Sequence, residues 1–176
     1  NYFEKIIEIN PNYSKAYINL GAVFKNLQEN KKALICYKKG IEINPNYSKA
    51  QNDLGVLFQE LGNYENAKNC YEKAIKINPD FSKAYSNLAI VSKELGQNRK
   101  VLNFFEKSLK IDPNNLIALN GITDWLSSFT LEDKKHLKNL CLLLFRKNNI
   151  NHNDISYNAK ISLFDQDNFC KIKKIV

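Results

Sequence analysis

Apolar positions along most of the chain recur with a helical period, and the pattern breaks at regular intervals. Paired helical segments are predicted at 14–27 and 31–43, at 48–61 and 65–77, and at 82–95 and 99–111. Leu61-Gly62-Asn63 and Leu95-Gly96-Gln97 read as stops after the first helix of a pair. The second helix of each pair ends at an Asn-Pro or Asp-Pro step, because a residue before Pro is driven out of the α region and Pro has no N–H to donate. Ser14, Ser48 and Ser82 stand where a hydroxyl is expected to accept orphan N–H groups of a first turn.

The breaks are periodic. Pro11, Pro45, Pro79 and Pro113 are each 34 residues apart, and without insertion or deletion Ser14–Tyr47 and Ser48–Phe81 share 15 of 34 positions. Ser48–Phe81 and Ser82–Asn115 share 13. A period of this length marks a stack of supersecondary units, each burying its apolar face on its neighbours. Numbering each copy from its Ser, Gly or Ala stands at position 8 (Gly21, Gly55, Ala89) and small residues dominate positions 20 and 27, where helices must approach closely. Aromatic residues such as Tyr37, Tyr71 and Tyr85 are expected to fill the space beside them.

Tyr17, Leu20, Gly21, Phe24, Ala33, Tyr37, Gly40 and Pro45 together resemble the tetratricopeptide repeat signature. The second copy offers Leu54, Gly55, Phe58, Ala67, Tyr71, Ala74 and Pro79 but has Gln51 at the first aromatic position. The third keeps Tyr85, Leu88, Ala89, Phe105, Ser108 and Pro113 but has Ser92 and Val101. The resemblance implies an all-α fold: a right-handed α-α superhelix of antiparallel hairpins, a tetratricopeptide (TPR) solenoid with a divergent C-terminal helical cap.

Residues 1–13, with Phe3, Ile6 and Pro11 in phase, read as the second helix of a partial repeat, and 14–115 as three full units. Residues 116–128 read as the first helix of a degenerate fourth unit, after which Lys135 and Asn139 stand where Ala and an aromatic belong. Residues 129–176 read as a helical cap or the start of a linker to a downstream domain, with Thr130-Leu131-Glu132-Asp133 spelling a capping box and a further helix from about Asn153. The chain contains no Met and opens inside a helical pattern, so a segment of a longer protein is expected.

The formal charge of +8 does not change this picture. Residues 1–130 carry 17 basic and 13 acidic side chains, interspersed, so the one-sign stripe of a phosphate-binding surface is missing and nucleic acid is not an expected partner. The strongest apolar run, Leu140–Phe145, is too short for a bilayer, and no membrane association is expected. Cys36, Cys70, Cys141 and Cys170 show no metal-ligand spacing, and the first two lie a full repeat apart, beyond disulfide reach. A reducing, cytoplasmic setting fits. His136 and His152 form no constellation with the cysteines or carboxylates, and the glycines spell no phosphate loop, so no catalytic residue, metal or cofactor is assigned.

Function is therefore sought on the first helices, which by resemblance line a concave groove. Position 6 is Asn19, Asp53 and Asn87, position 2 is Lys15, Lys49 and Lys83, and position 13 is Asn26, Glu60 and Glu94. A column of amides and carboxylates can bond the backbone of an extended peptide without reading its side chains. This column is similar to that of the O-linked N-acetylglucosamine transferase arrays, although Gly121 interrupts it in the fourth copy. The clamp with which other TPR proteins hold chaperone tails is not expected, because Lys83 is paired with Asn87 and position 9 is Ala22, Val56 and Ile90. The expected function is a protein-interaction scaffold for a protein or peptide partner; the alternative is the substrate-recruiting arm of a larger glycosyl-, methyl- or sulfotransferase.

Overall fold

The computed structural model describes residues 2–127, all of whose regular elements are helical. The cap expected over 129–176 lies outside the described residues. The order is α1 (Tyr2–Ile9), α2 (Ser14–Asn26), α3 (Asn30–Ile43), α4 (Ser48–Glu60), α5 (Tyr64–Ile77), α6 (Ser82–Glu94), α7 (Asn98–Ile111) and α8 (Leu116–Ser127). Hairpins α2/α3, α4/α5 and α6/α7 stack in sequence, with α1 against α2 and α8 against both α6 and α7. First helices also touch first helices, α2 on α4 and α4 on α6, so these three form one wall of a helical-repeat superhelix.

Local chemistry fixes the two kinds of connection. Between hairpins, the side chains of Asn10, Asn44, Asn78 and Asp112 each accept the backbone N–H two residues on at 3.1–3.2 Å, closing a turn over the intervening Pro. Within hairpins, Gly62 and Gly96 adopt φ of +71° and +70°, the left-handed conformation that ends a helix most cheaply in Gly. The first copy places Gln28 there instead, at φ +60°.

The expected role of the serines is corrected by their direction. Ser14 is the first helical residue and its Oγ donates across the hairpin to the Gly40 carbonyl at 2.7 Å; Ser82 does the same to Ser108 at 3.1 Å. Buried at the hairpin base, these hydroxyls meet the carbonyls of the opposite helix, whereas the residues before them, Tyr13 and Phe81, cap without a side-chain bond.

Packing follows the repeat. Ala33, Ala67 and Val101 at position 20 are fully buried, as are Tyr71 and, within a few per cent, Tyr37 and Phe105 at position 24. A methyl group added at Gly21 would stand 2.9 Å from the Tyr37 ring, and one at Gly55 2.6 Å from the Tyr71 ring, which is why these positions hold no side chain. In the third copy the volumes are redistributed: Ser92 replaces the Phe24 and Phe58 of position 11, and Phe104 replaces the Cys36 and Cys70 of position 23. The junction after it is polar as well. Asn115 Nδ2 lies 2.6, 2.9 and 3.0 Å from the hydroxyls of Ser82, Ser86 and Ser108, and its Oδ1 accepts the N–H groups of Ile117 and Ala118 that open α8.

Candidate functional site

The wall of α2, α4 and α6 carries the nine residues singled out in the sequence, and the structure separates them by accessibility. Lys15, Lys49 and Lys83, one per helix in the first turn, are exposed, as are Asn26, Glu60 and Glu94 near the helix ends. Asn19 and Asp53 at position 6 are half-buried. Asn87, their third-copy counterpart, is only 8% exposed, and its Nδ2 donates to Asn52 Oδ1 of the preceding copy at 3.1 Å. The expected column of two amides and a carboxylate thus reduces to two accessible groups, Asn19 and Asp53, and one, Asn87, held by the protein itself.

The cause is position 5, which is Ile18 in the first copy, Asn52 in the second and Ser86 in the third. Asn52 is buried, and a buried amide must find partners. It accepts from Asn87 and donates to Asp53 Oδ1 at 3.4 Å, so Asn87, Asn52 and Asp53 form one chain across α6 and α4. The signal was present in the sequence as a polar residue at an otherwise apolar or small position.

Electrostatics concentrate on Asp53. Burial pushes its carboxyl above the usual carboxylate range, while the Asn52 hydrogen bond and the charges of Lys49, Lys25 and Lys83 act in the opposite direction. Lys25, a residue the column did not include, also pairs with Glu60 of the next copy at 2.8 Å. This pair is partly exposed, which limits its energetic weight, but it spans two first helices and uses up part of the acceptor capacity of Glu60. Behind the wall, Tyr71 Oη donates to Gln59 Oε1 at 2.8 Å, and burial raises the phenol groups of Tyr37 and Tyr71 far above their ordinary range.

The wall therefore presents alternating cations and acceptors with a spacing set by the helix stack. Among the described residues no group of three or more His, Cys, Asp or Glu side chains is placed to hold a metal, and no helix is long and apolar enough to cross a membrane.

Comparison with known proteins agrees with this architecture. Residues 14–47 and 48–81 each match the tetratricopeptide repeat family, and residues 70–102 match a second tetratricopeptide repeat description, the matches together spanning about half of the chain. No curated protein matches the sequence. Among solved structures, YrrB superposes with a TM-score of 0.70 at 22% identity, covering 92% of this chain and 82% of its own. The pilF protein of Pseudomonas aeruginosa gives 0.70 at 23% identity, covering 93% and 67%. The first TPR of Spaghetti (RPAP3) gives 0.63 at 20% identity, covering 66% and 92%. With the same repeat period, the same hairpin stack and these matches, the chain belongs to the tetratricopeptide repeat family.

Proposed function

We propose that the wall of α2, α4 and α6 binds an extended segment of a partner protein. The observation that carries this reading is the pair Asn19 and Asp53, half-exposed at one register position of adjacent hairpins, with the charges of Lys49, Lys25 and Lys83 acting on Asp53. Helices that pack 8–10 Å apart offer one such group per about three residues of extended chain. Asn19 would exchange hydrogen bonds with the ligand backbone and Asp53 would accept its N–H groups, while the lysines favour acidic side chains beside it. The reading is supported by what is printed of proteins sharing the fold: YrrB is a TPR protein with an unusual peptide-binding site, and the first TPR of Spaghetti was solved bound to an HSP90 peptide.

The test is a peptide array probed with the wild-type chain and with an Asn19→Ala/Asp53→Ala variant. Asn87 is left intact because its side chain closes a buried bond. Loss of the captured peptides in the variant, with an unchanged helical circular-dichroism spectrum, is expected. Equal capture by both proteins overturns the assignment of these two residues.

A further inference from the structure

The second copy departs from its neighbours at the edge of the stack, away from the wall just described. Position 4 is Tyr17 in the first copy and Tyr85 in the third, but Gln51 in the second. In the third copy Lys107, at position 26, holds its ammonium 5.8 Å from the centre of the Tyr85 ring, so positions 4 and 26 face each other across a hairpin. In the first copy the equivalent Lys39 is neutralised by Glu42, three residues on, at 3.1 Å.

The second copy has neither arrangement. Gln51 replaces the ring, and Lys76 stands where Glu42 stood. Lys73 and Lys76 make no ion pair among the described residues, although Glu72 occupies the place from which Glu106 holds Lys110 at 2.9 Å in the third copy. A cleft of about 640 Å³ is lined by Pro45, Asn46, Gln51, Lys73, Lys76 and Ile77; the first-copy junction holds one of about 620 Å³, so the second is set apart by its lining of Gln51, Lys73 and Lys76. This volume falls within the usual range of small-ligand sites, about 300–1,000 Å³. Gln51 is 8% exposed, and its side-chain amide has no hydrogen-bond partner among the described residues. The amide is not sealed in the core but lines the cleft and is open to it.

We infer that this cleft binds a small organic phosphate. Lys73 and Lys76 hold the phosphate as two point charges matching its dianion, the Gln51 amide bonds a polar group of the organic part, and Ile77 and Pro45 contact its carbon skeleton. A carboxylate carries one charge and matches the pair less well. The site is separate from the peptide-binding reading and does not depend on it.

The experiment is a two-dimensional ¹⁵N–¹H NMR titration of the full chain with inorganic phosphate, glycerol 3-phosphate and acetate at constant ionic strength. Saturable shifts at Asn46, Gln51, Lys73, Lys76 and Ile77 are expected, with glycerol 3-phosphate bound about tenfold or more tightly than acetate. Lys73→Ala/Lys76→Ala should weaken that binding by about tenfold or more. Gln51→Tyr, which installs the residue both neighbouring copies carry and so retains the fold, should abolish it. The Asn19→Ala/Asp53→Ala variant should titrate as wild type. Equal response to acetate, shifts spread over lysines of the whole surface, or full binding by Gln51→Tyr overturns the proposal.

Discussion

Asn87 reaches back one hairpin to bond Asn52 at 3.1 Å, and this contact joins the third hairpin to the second through two buried amides. It places Asn87 in the interface between units, whereas Asn19 and Asp53 at the same register position are half-exposed. Asn87→Ala is therefore expected to destabilise the fold by about 1–2 kcal/mol, because Asn52 Oδ1 loses its donor while still buried. Asn19→Ala, at a half-exposed position, should shift stability by about 0.5 kcal/mol or less. Urea unfolding of the two variants checks the contrast, and equal midpoints would contradict it.

Asp53 gives a pH signature. Its carboxyl is raised in the folded chain, chiefly by burial, so folding favours the protonated form. The charged form thus carries a penalty that is present above the folded pKa and disappears as the pH falls below the unfolded value. Asp53→Asn, which supplies the amide of the other two copies, is expected to raise the melting temperature at pH 7. The gain should vanish below about pH 4, where the native carboxyl is protonated in both states. Thermal melts of both proteins across this range test the sign.

The hairpin turns offer paired substitutions of opposite sign. Gln28 sits at φ +60°, a conformation that costs an L-residue with a side chain about 1–2 kcal/mol relative to Gly. Gln28→Gly should stabilise by roughly 0.5 kcal/mol, the relief of strain outweighing the added freedom of the unfolded chain. Gly62→Ala, at φ +71° with open space around it, should destabilise by about 1 kcal/mol through the backbone alone.

Gly55→Ala tests the close approach of α4 and α5. The added methyl would lie 2.6 Å from the Tyr71 ring, which is buried and bonded to Gln59 and so is poorly placed to move. Overpacking of about 1–3 kcal/mol exceeds the roughly 1 kcal/mol that Ala gains over Gly in a helix, and a net loss is expected. Calorimetric melting temperatures decide the sign.

Cys36 and Cys70 should be chemically silent. Burial raises both thiols, that of Cys70 to about 11, with Lys73 opposing only weakly. In a Cys141→Ser/Cys170→Ser variant, iodoacetamide at pH 8 is expected to leave both thiols unmodified until denaturant is added. Mass spectrometry counts the alkylated sites.

The hairpins were legible from the sequence because every copy repeats the same breaks: the Asn-Pro or Asp-Pro step uses proline's missing donor, and Gly62 and Gly96 supply the positive φ that ends a helix. The column of position 6 was legible in register but not in accessibility. Asp53 and Asn87 share a register position, and what separates them is position 5 of the preceding copy, Ile18 against Asn52. The bonding direction of Ser14 and Ser82 is hidden in the sequence for a related reason. Their spacing marks a helix start, but only the packed hairpin brings the Gly40 and Ser108 carbonyls within reach of their hydroxyls.

The junction at Asn115 bears on how such a chain finds its own register. Copies that share 15 of 34 residues are similar enough for a hairpin to dock one unit out of place, or on a second molecule, with its apolar contacts largely satisfied. A docking slipped by 34 residues would set Asn115, whose Nδ2 sits among three hydroxyls, against a neighbour offering Ser48, Asn52 and Ala74 in place of Ser82, Ser86 and Ser108. The polar latch occurs once among the described junctions, and so it marks one docking as the right one.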